Sequence, residues 1–408
     1  MNIKLSKSSI NDPQSVIRIT GSKSESNRLL LLQALYPEVN ITNLSNSDDT
    51  TLMQHALNSD SHEIDIHHAG TAMRFLTAFY SIQKARTVIL TGSNRMQERP
   101  IRVLVDALHA LGADISYVKN EGFPPLLIKG KQFLSSEVEI DANVSSQYIS
   151  ALLLIAPKLN NGLKIKIKGS IASKPYLLMT ISLLNDLGAK TVFKENTIIV
   201  EPLSHINIKS FSVESDWSSA SYFYSIIALS KIGKEISLSL FRQNSLQGDA
   251  ILAEIYESFG VETIYNEDVI ILRKVRNHTS NSIQLNLTES PDIAQTLAVT
   301  CLGLGLTCKL TGLETLKIKE TDRLVALKTE IEKLGTNVEI TDHSLCISNI
   351  EPLMSNIDID TYNDHRMAMA FSPLALKTPI IINDSEVVSK SYPDFWNDLK
   401  TIGFQISK

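Results

Sequence analysis

Cations and proton-carrying side chains recur together along this sequence. The cations are Lys23, Arg28, Arg74, Arg95, Arg323 and Arg366, and the candidate proton carriers are Asp292, Glu320 and His365. Arginine suits bidentate contact with a carboxylate or phosphate, and lysine supplies a point charge that can also move a proton. Two ligands that each carry a phosphate and a carboxylate bring roughly −5 to −6 in charge, which this cation set matches. The mixture predicts addition and elimination at a small phosphorylated acid.

These residues stand in short polar clusters. The clusters are 21–28 (GSKSESNR), 69–74 (AGTAMR), 95–100 (RMQERP), 145–147 (SSQ), 173–176 (SKPY), 291–292 (PD), 319–323 (KETDR), 363–366 (NDHR) and 390–393 (KSYP). Each falls where the sequence predicts a turn from a strand into a helix. Helix N-termini carry free N–H groups and a partial positive charge, so a face lined by several of them favours anions.

A simpler interpretation is that these residues only begin helices. Ser, Thr, Asp and Asn are common N-caps and proline is common at the first helical position, so Asp292 and Asp364 could simply cap their helices. Capping does not explain the cations, because Lys and Arg oppose the helix dipole at an N-terminus. Their repetition there therefore indicates bound anions.

A repeated unit positions the clusters. Helices that end in Leu-Gly-Ala or a near variant stop at Gly112, Gly188, Gly260, Gly335 and Gly403, at intervals of 76, 72, 75 and 68 residues. Glycine supplies the left-handed residue that ends a helix, and a short alternating strand follows each one. A more apolar helix, of the kind that is usually buried, also belongs to each unit. These helices are predicted at 28–35, 71–82, 147–156, 220–229, 294–304 and 366–376. The unit is therefore βαβαββ, and six units fit the chain. The first, from Asn40 to Ile66, has no glycine stop.

Composition excludes several classes of function. The 408 residues are 43% hydrophobic, which is enough for two cores, and the net charge of −5 gives no basic excess for nucleic acid. No apolar run reaches membrane-span length, and the three cysteines lack metal spacing. Adjacent His67 and His68 would point to opposite faces of a strand and so make a poor metal pair. We expect a cytoplasmic, monomeric protein that has no cofactor and no metal, and no nucleic-acid or membrane partner.

The clusters, in their order and spacing from Gly21 to Pro393, resemble the 5-enolpyruvylshikimate-3-phosphate synthase family of enolpyruvyl transferases. GSKSxSNR, AGTAMR, KETDR and NDHRMAM are together highly specific. The resemblance implies an α/β fold of two domains, each an inside-out barrel of three βαβαββ repeats, that close over the substrates in the cleft between them. The first domain would span 20–214, and the second would combine 1–19 with 215–408.

The resemblance also implies the ligand contacts. Shikimate 3-phosphate would contact Lys23, Ser24, Arg28, Ser145, Ser146, Gln147, Ser173, Asp292 and Lys319. Phosphoenolpyruvate would contact Lys23, Gly70, Arg95, Gln147, Arg323, Arg366 and Lys390. Asp292 would be the base for the 5-hydroxyl of the first ligand, Glu320 with Lys23 would exchange the methylene proton of the second, and His365 would orient or assist Glu320.

Three positions depart from the commonest pattern of that family. His68 and Thr315 stand where asparagine is usual, and Phe75 stands where proline is common, in the helix beside the site at which glyphosate mimics phosphoenolpyruvate. Two rival functions remain. One is the sister transferase that acts on a UDP-amino sugar, which usually has a catalytic loop cysteine. The other is a binding protein that has kept the anion site and lost turnover.

Overall fold

The computed structural model describes residues 1–11, 16–141, 146–169, 171 and 173–408. The chain divides into two compact units. The continuous unit is Gly21–Val213, and the discontinuous unit joins Met1–Thr20 to Glu214–Lys408.

Helices and strands alternate through both units. The helices are α1 (Lys23–Leu35), α2 (Asp48–Leu57), α3 (Gly70–Ser81), α4 (Arg102–Leu111), α5 (Ser146–Ile155), α6 (Lys174–Leu187), α7 (Trp217–Leu229), α8 (Leu252–Glu257), α9 (Ala294–Leu304), α10 (Arg323–Lys333), α11 (His365–Phe371) and α12 (Phe395–Thr401). Short 3-10 helices lie at Met96–Glu98, Ala156–Lys158, Gly248–Ile251, Pro291–Ile293, Glu314–Ile318, Ser372–Leu376 and Ser385–Lys390.

The strands are short. They are β1 (Ile3–Leu5), β2 (Asn40–Thr42), β3 (Glu63–Asp65), β4 (Thr87–Thr91), β5 (Asp114–Tyr117), β6 (Leu126–Lys129), β7 (Glu137–Asp141), β8 (Leu163–Lys168), β9 (Thr191–Lys194), β10 (Thr197–Val200), β11 (Ser210–Ser212), β12 (Glu235–Ser239), β13 (Val261–Asn266), β14 (Val269–Lys274), β15 (Ser282–Asn286), β16 (Thr307–Thr311), β17 (Glu339–Ile340), β18 (Ser344–Ile347), β19 (Ile357–Ile359), β20 (Ile380–Ile382) and β21 (Ile406–Ser407).

The predicted βαβαββ unit is confirmed. In the continuous unit two four-stranded sheets have the orders β3-β4-β6-β5 and β7-β8-β10-β9, and each begins with a parallel pair and continues antiparallel. The repeat without a glycine stop is abbreviated, since its sheet contains only the parallel pair β2 and β11 among the described residues. Strands of different repeats form no common hydrogen-bonded barrel within the described ranges.

The discontinuous unit follows the same plan. Its sheets have the orders β12-β14-β13, β15-β16-β18-β17 and β19-β20-β1-β21, so the N-terminal strand β1 completes the last repeat. The strand-pair order of β15 to β18 repeats that of β3 to β6, with a parallel pair followed by two antiparallel pairings.

Glycines end the helices as the sequence predicts. Gly112 and Gly188 have φ values of +102° and +116°, a left-handed conformation that glycine adopts without a Cβ clash. Gly260, Gly335 and Gly403 also have positive φ.

The more apolar helices are buried. All thirteen residues of α7 are buried, and α7 packs against α9, which in turn packs against α11. Small hydroxyl side chains allow this close approach, as in the 3.0 Å contact between the oxygens of Ser221 and Thr296. The corresponding helices α1, α3 and α5 pack together in the continuous unit. Because these helices are held rigidly in each core, the residues at their N-termini are also held in place. No helix in the described ranges is both long enough and apolar enough to cross a membrane.

Candidate active site

Arg323 is the centre of a charge cluster in the discontinuous unit. It begins α10, is 1% exposed, and donates to three carboxylates. Its Nε lies 2.7 Å from Oδ2 of Asp364, its Nη1 lies 2.8 Å from Oδ1 of Asp292, and its Nη2 lies 2.8 Å from Oε2 of Glu320. Burial opposes the charge, but the carboxylates outweigh burial and raise the pKa of Arg323 further.

Asp364 both caps a helix and binds this arginine. Tyr362 and Asn363 have φ values of +53° and +55°, which are uncommon for residues other than glycine. This turn between β19 and α11 leaves Asp364 as the N-cap, where its Oδ1 accepts the backbone N–H of Arg366 at 2.9 Å. Oδ2 of the same carboxylate is then available to Arg323. The capping role predicted from the sequence is therefore correct, and the ion pair is additional to it.

Asp292 contacts three cations. Besides Arg323, its Oδ1 lies 3.3 Å from Nζ of Lys319 and its Oδ2 lies 3.3 Å from Nη2 of Arg366. Burial raises the pKa of Asp292, but these cations outweigh burial and hold it well below the usual range for an aspartate. Asp292 is therefore ionised at neutral pH.

A second buried acid lies behind Arg366, and the sequence did not identify it as a site residue. Nη2 of Arg366 lies 3.3 Å from Oγ of Ser218, and that hydroxyl donates to Asp249. Burial, reinforced by the negative charge of Asp292, raises the pKa of Asp249 to about 6. Asp249 follows Gln247-Gly248 at a strand-to-helix turn, which is the repeat position that the other clusters occupy.

The remaining predicted residues of this unit lie around the same cluster. Burial lowers the pKa of Lys319 and Arg323 adds to this effect, although Asp292 opposes it. His365 is buried, and its Nδ1 lies 3.8 Å from Oδ1 of Asp364. Lys390 donates to the carbonyl of Asn363 at 2.6 Å, on the turn that precedes Asp364.

In the continuous unit the predicted site residue Lys23, the first residue of α1, belongs to a smaller cluster. Nζ of Lys23 lies 3.3 Å from Oδ2 of Asp49, which is buried in the first turn of α2. Oδ1 of Asp49 lies 3.4 Å from Nε2 of His68. The sequence analysis missed Asp49, although Asp48-Asp49 stands at a helix start in the abbreviated repeat.

Arg28 is 2% exposed and bound by protein oxygens. It donates to Oγ1 of Thr180 at 2.7 Å, to the carbonyl of Ser24 at 2.8 Å, to Oγ of Ser150 at 3.3 Å and to the carbonyl of Tyr176 at 3.1 Å. Its guanidinium carbon also lies 5.3 Å from the ring centroid of Phe75. The unusual Phe75 therefore packs as a cation–π partner in the core. Burial lowers the pKa of Arg28 to about 10. This value is still well above neutral pH, so the arginine remains charged.

Other predicted residues of this unit also lie at helix starts. Gly70 begins α3, and a Cβ there would lie 2.5 Å from Nη1 of Arg99. Gln147 in α5 donates to Oγ1 of Thr71 at 3.5 Å, and Ser146 is the first residue of α5. Ser173 is the N-cap of α6, and exposed Arg95 pairs with Glu98 at 3.1 Å. Ser145 lies outside the described residues.

The structure also shows the surroundings of three residues that the sequence analysis singled out, His67, His68 and Thr315. The prediction that His67 and His68 point apart is wrong, since their Nδ1 atoms lie 2.8 Å from each other. Thr315 is half-buried, and its hydroxyl has no hydrogen-bond partner in the described part of the chain. No set of three potential metal ligands occurs among the described residues.

The cysteines do not resemble catalytic thiolates. Cys301 and Cys308 are buried in the core, and Cys346 is half-buried on β18. A hydrogen bond with Cys308, together with burial, raises the pKa of the Cys301 thiol, which disfavours the thiolate.

Comparison with known proteins gives full-length matches. The chain is 47% identical over 399 residues to a 3-phosphoshikimate 1-carboxyvinyltransferase of Bacteroides fragilis, with 96% of each chain covered. It is 36% identical over 436 aligned positions to the enzyme of the same name from Haemophilus influenzae, with 98% of this chain and 99% of that one covered.

Solved structures show the same fold at low identity. The EPSP synthase of Acinetobacter baumannii superimposes with a TM-score of 0.78 at 20% identity, with full coverage of both chains. The enolpyruvyl transferase NikO of Streptomyces tendae gives a TM-score of 0.73 at 14% identity, with 100% of this chain and 98% of that one covered. A sequence model described as EPSP synthase (3-phosphoshikimate 1-carboxyvinyltransferase) matches residues 56–399. With that match over most of its length, and with full-length relatives at 47% and 36% identity, the chain belongs to the EPSP synthase family.

Proposed function

We propose that the protein transfers the enolpyruvyl group of phosphoenolpyruvate to the 5-hydroxyl of shikimate 3-phosphate and releases phosphate. The names of its curated relatives state the transfer of a carboxyvinyl group to 3-phosphoshikimate. The phosphoenolpyruvate donor, the 5-hydroxyl acceptor and a place in the shikimate pathway to chorismate and the aromatic amino acids are what the family resemblance implies. The observation that carries the proposal is the contact of Asp292 with Lys319, Arg323 and Arg366, beside Glu320. This cluster combines proton carriers with cations that suit phosphate and carboxylate groups.

Ligand binding at these cations would adjust the basicity of Asp292. A carboxylate whose pKa is held far below the usual range is a weak base. An anionic ligand bound to Lys319, Arg323 and Arg366 would compete with Asp292 for their charge. The negative charge of the ligand would also raise the pKa of Asp292. Binding would therefore convert a weakly basic carboxylate into an acceptor for the hydroxyl proton.

The proposed chemistry then follows from the neighbours of Asp292. Asp292 takes the proton of the 5-hydroxyl of shikimate 3-phosphate. The hydroxyl oxygen attacks the carbon of phosphoenolpyruvate next to its methylene group, while Glu320 donates a proton to the methylene carbon. The tetrahedral intermediate expels phosphate, and Glu320 takes back a proton from the new methyl group. His365 is proposed to orient or assist Glu320, and its recorded contact with Asp364 supports an indirect role, through Arg323.

The residues of the continuous unit are proposed to contact the same two ligands. By resemblance, Lys23 would bind both, and its pairing with Asp49 holds the ammonium beside the N-terminus of α1. Domains 20–214 and 1–19 with 215–408 would then each supply part of one active site. Arg28 would act mainly by holding together α1, α5 and the start of α6, because it donates to four protein oxygens on these elements.

The test is phosphate release from phosphoenolpyruvate by purified protein, with and without shikimate 3-phosphate. We expect release only when both are present, with the carboxyvinyl ether as the second product. Release with a UDP-amino sugar in place of shikimate 3-phosphate would assign the sister activity instead. Binding of both ligands without release would contradict the proposed function and identify a non-catalytic anion-binding protein.

The cellular location and the oligomeric state of the protein can both be tested. We propose a cytoplasmic protein, because its three cysteines are free thiols that suit a reducing compartment. We propose a monomer, which light scattering across a concentration series would test directly. A mass near twice 45.2 kDa would contradict it.

A further inference from the structure

An unbroken series of polar contacts leads from His67 to Lys23 in the continuous unit. The Nδ1 atoms of His67 and His68 lie 2.8 Å apart, Nε2 of His68 lies 3.4 Å from Oδ1 of Asp49, and Oδ2 of Asp49 lies 3.3 Å from Nζ of Lys23. The side chain of Asp49 is only 8% exposed, and those of His68 and Lys23 are 19% and 16% exposed. Solvent therefore screens the two contacts of Asp49 only weakly, whereas His67, at the other end of the series, is exposed.

A left-handed turn brings the two neighbouring rings together. His67 has a φ of +47°, and its backbone N–H is held by Oδ1 of Asp65 at 2.7 Å. Its carbonyl accepts the N–H of Ser93 at 2.9 Å, next to Gly92, where a Cβ would lie 2.6 Å from that carbonyl oxygen. The rings meet edge to face with centroids 5.0 Å apart. Contacts on both sides of the turn thus maintain a strained conformation at this point.

The geometry selects one direction for the hydrogen bonds. If Nδ1 of neutral His68 carried the proton, its bare Nε2 would face the carboxylate of Asp49 and the two would repel. If Nδ1 of His68 instead accepts from His67, the proton is on Nε2, which lies 3.4 Å from Oδ1 of Asp49 without hydrogen-bond geometry, so this contact is an electrostatic attraction rather than a hydrogen bond. Protonating His68 adds a proton at Nδ1, so the His67 N–H must turn away while the pairing with Asp49 strengthens.

We propose that His68, with His67 as its partner, is a titrating positioning residue that sets how strongly Asp49 holds Lys23. Protonated His68 gives Asp49 a second cation and loosens its hold on Lys23. It also adds positive charge two residues before Gly70, where phosphoenolpyruvate is proposed to bind. Anion binding at Lys23 is therefore strengthened on the acid side. The inference rests on the proposed function for its effect on turnover, but the titration itself does not.

Other charged residues lie on the elements that pack around the pair. Helix α1 contributes Glu25 and Arg28, α2 contributes Asp48 and His55, β3 contributes Glu63 and Asp65, α3 contributes Arg74, and the segment after β4 contributes Arg95, Glu98 and Arg99. Of these, Asp65 binds the backbone of His67, and Arg99 lies against the backbone of Gly70. None of these charges is altered in the variants tested below, so their effect on the titration is common to all of them.

The first measurement follows the ring protons of His68 by NMR against pH in the full-length protein, with EDTA present. His68→Asn assigns the resonance, and Asp49→Asn tests the link. An opposite charge at this distance favours the protonated ring, so we expect Asp49→Asn to lower the titration midpoint of His68 by about one pH unit, a tenfold loss of proton affinity. An unchanged midpoint would overturn the proposal, whether or not the protein is active.

The second measurement is the KM for phosphoenolpyruvate from pH 5.5 to 8.5. His68→Asn keeps a donor toward Asp49 but cannot titrate, and exposed His62→Asn is the matched control. The quantity compared is the KM of His68→Asn divided by the KM of the unaltered protein, since titration of the ligand phosphate cancels in this ratio. We expect the ratio to rise about threefold to tenfold toward low pH, with kcat much less affected. A ratio that is constant with pH would refute the positioning role. If no variant turns over, the proposed function fails, and the NMR result still decides the link.

Discussion

Replacing Asp364 separates two functions that this one carboxylate combines. Asp364→Asn keeps an oxygen for the N-cap of α11 but removes the negative charge from Arg323. Asp364→Ala removes both. The substitution affects a fully buried group, since the side chain is 0% exposed and accepts from Nε of Arg323 at 2.7 Å and from the backbone N–H of Arg366 at 2.9 Å.

The two variants should lose different amounts of stability. Loss of an N-cap costs about 1 kcal/mol. Unpairing a buried charge costs about 3–5 kcal/mol, and the lower end applies because Asp292 and Glu320 still contact Arg323. We therefore expect Asp364→Ala to lower the unfolding free energy by about 4 kcal/mol. For Asp364→Asn we expect about 1–2 kcal/mol, the difference between a charged and a neutral hydrogen bond.

Tryptophan fluorescence in urea measures this directly, because both tryptophans, Trp217 and Trp396, belong to the discontinuous unit. At an m-value of about 2–3 kcal/mol/M, the midpoint should fall by about 1–2 M for Asp364→Ala. In the same proteins, kcat/KM for phosphoenolpyruvate should fall at least about tenfold, because Arg323 loses its orientation. Exposed Asp358→Asn is the matched control and should change neither quantity. Equal losses of unfolding free energy in Asp364→Ala and Asp364→Asn would refute the division between the capping role and the charge of Asp364.

Three further predictions concern other buried charges. Asp292→Asn should bind both ligands yet turn over at least about 100-fold more slowly, since the proposed base is lost; near-normal turnover would remove Asp292 from that role. Since the pKa of Asp249 is raised to about 6, the folded state keeps a proton that the unfolded state has lost, so its contribution to stability falls as pH rises from about 4 to 6. Asp249→Asn should therefore gain up to about 3 kcal/mol relative to the unaltered protein between pH 4 and pH 7 in urea unfolding, and a pH-independent difference would contradict this. Burial, with Lys377 and Arg276, lowers the pKa of Lys274 to about 8, so the charged form destabilises the fold below that pH. Lys274→Met should stabilise the protein by about 1 kcal/mol at pH 7 in thermal unfolding, and that gain should shrink toward pH 10.

The repeat and its elements could be predicted from sequence because their causes are local. The glycine at position 112 adopts the conformation that its place after an apolar helix requires, and α9 has the predicted bounds, Ala294–Leu304. Some helices were predicted to begin too late, as with α1, which begins at Lys23, five residues before the predicted Arg28. Polar residues in that first turn obscured the apolar pattern.

The candidate site was predictable as a set of helix starts, because residue type and repeat position are both sequence properties. Asp364 was recognised as a cap for that reason. Its pairing with Arg323 was not, since the two are 41 positions apart and belong to successive repeats. Similarly, no local pattern indicated that Arg28 binds Thr180, which is 152 positions away.

The sequence by itself determined the period, the order of helices and strands, and the residue types at each helix start, because these follow from local backbone preferences and from the spacing of apolar residues. Only the tertiary structure decided which carboxylate meets which cation. The ion pairs of Arg323 with Asp292 and Asp364 depend on packing between segments that are 31 and 41 positions apart, whereas its pair with Glu320 lies within one turn of chain. Tertiary structure also reversed one local expectation, because contacts across the β3–α3 turn hold His67 in a left-handed conformation and bring its ring onto His68. Burial then set the ionisation of these groups, since desolvation and neighbouring charge depend on positions in space.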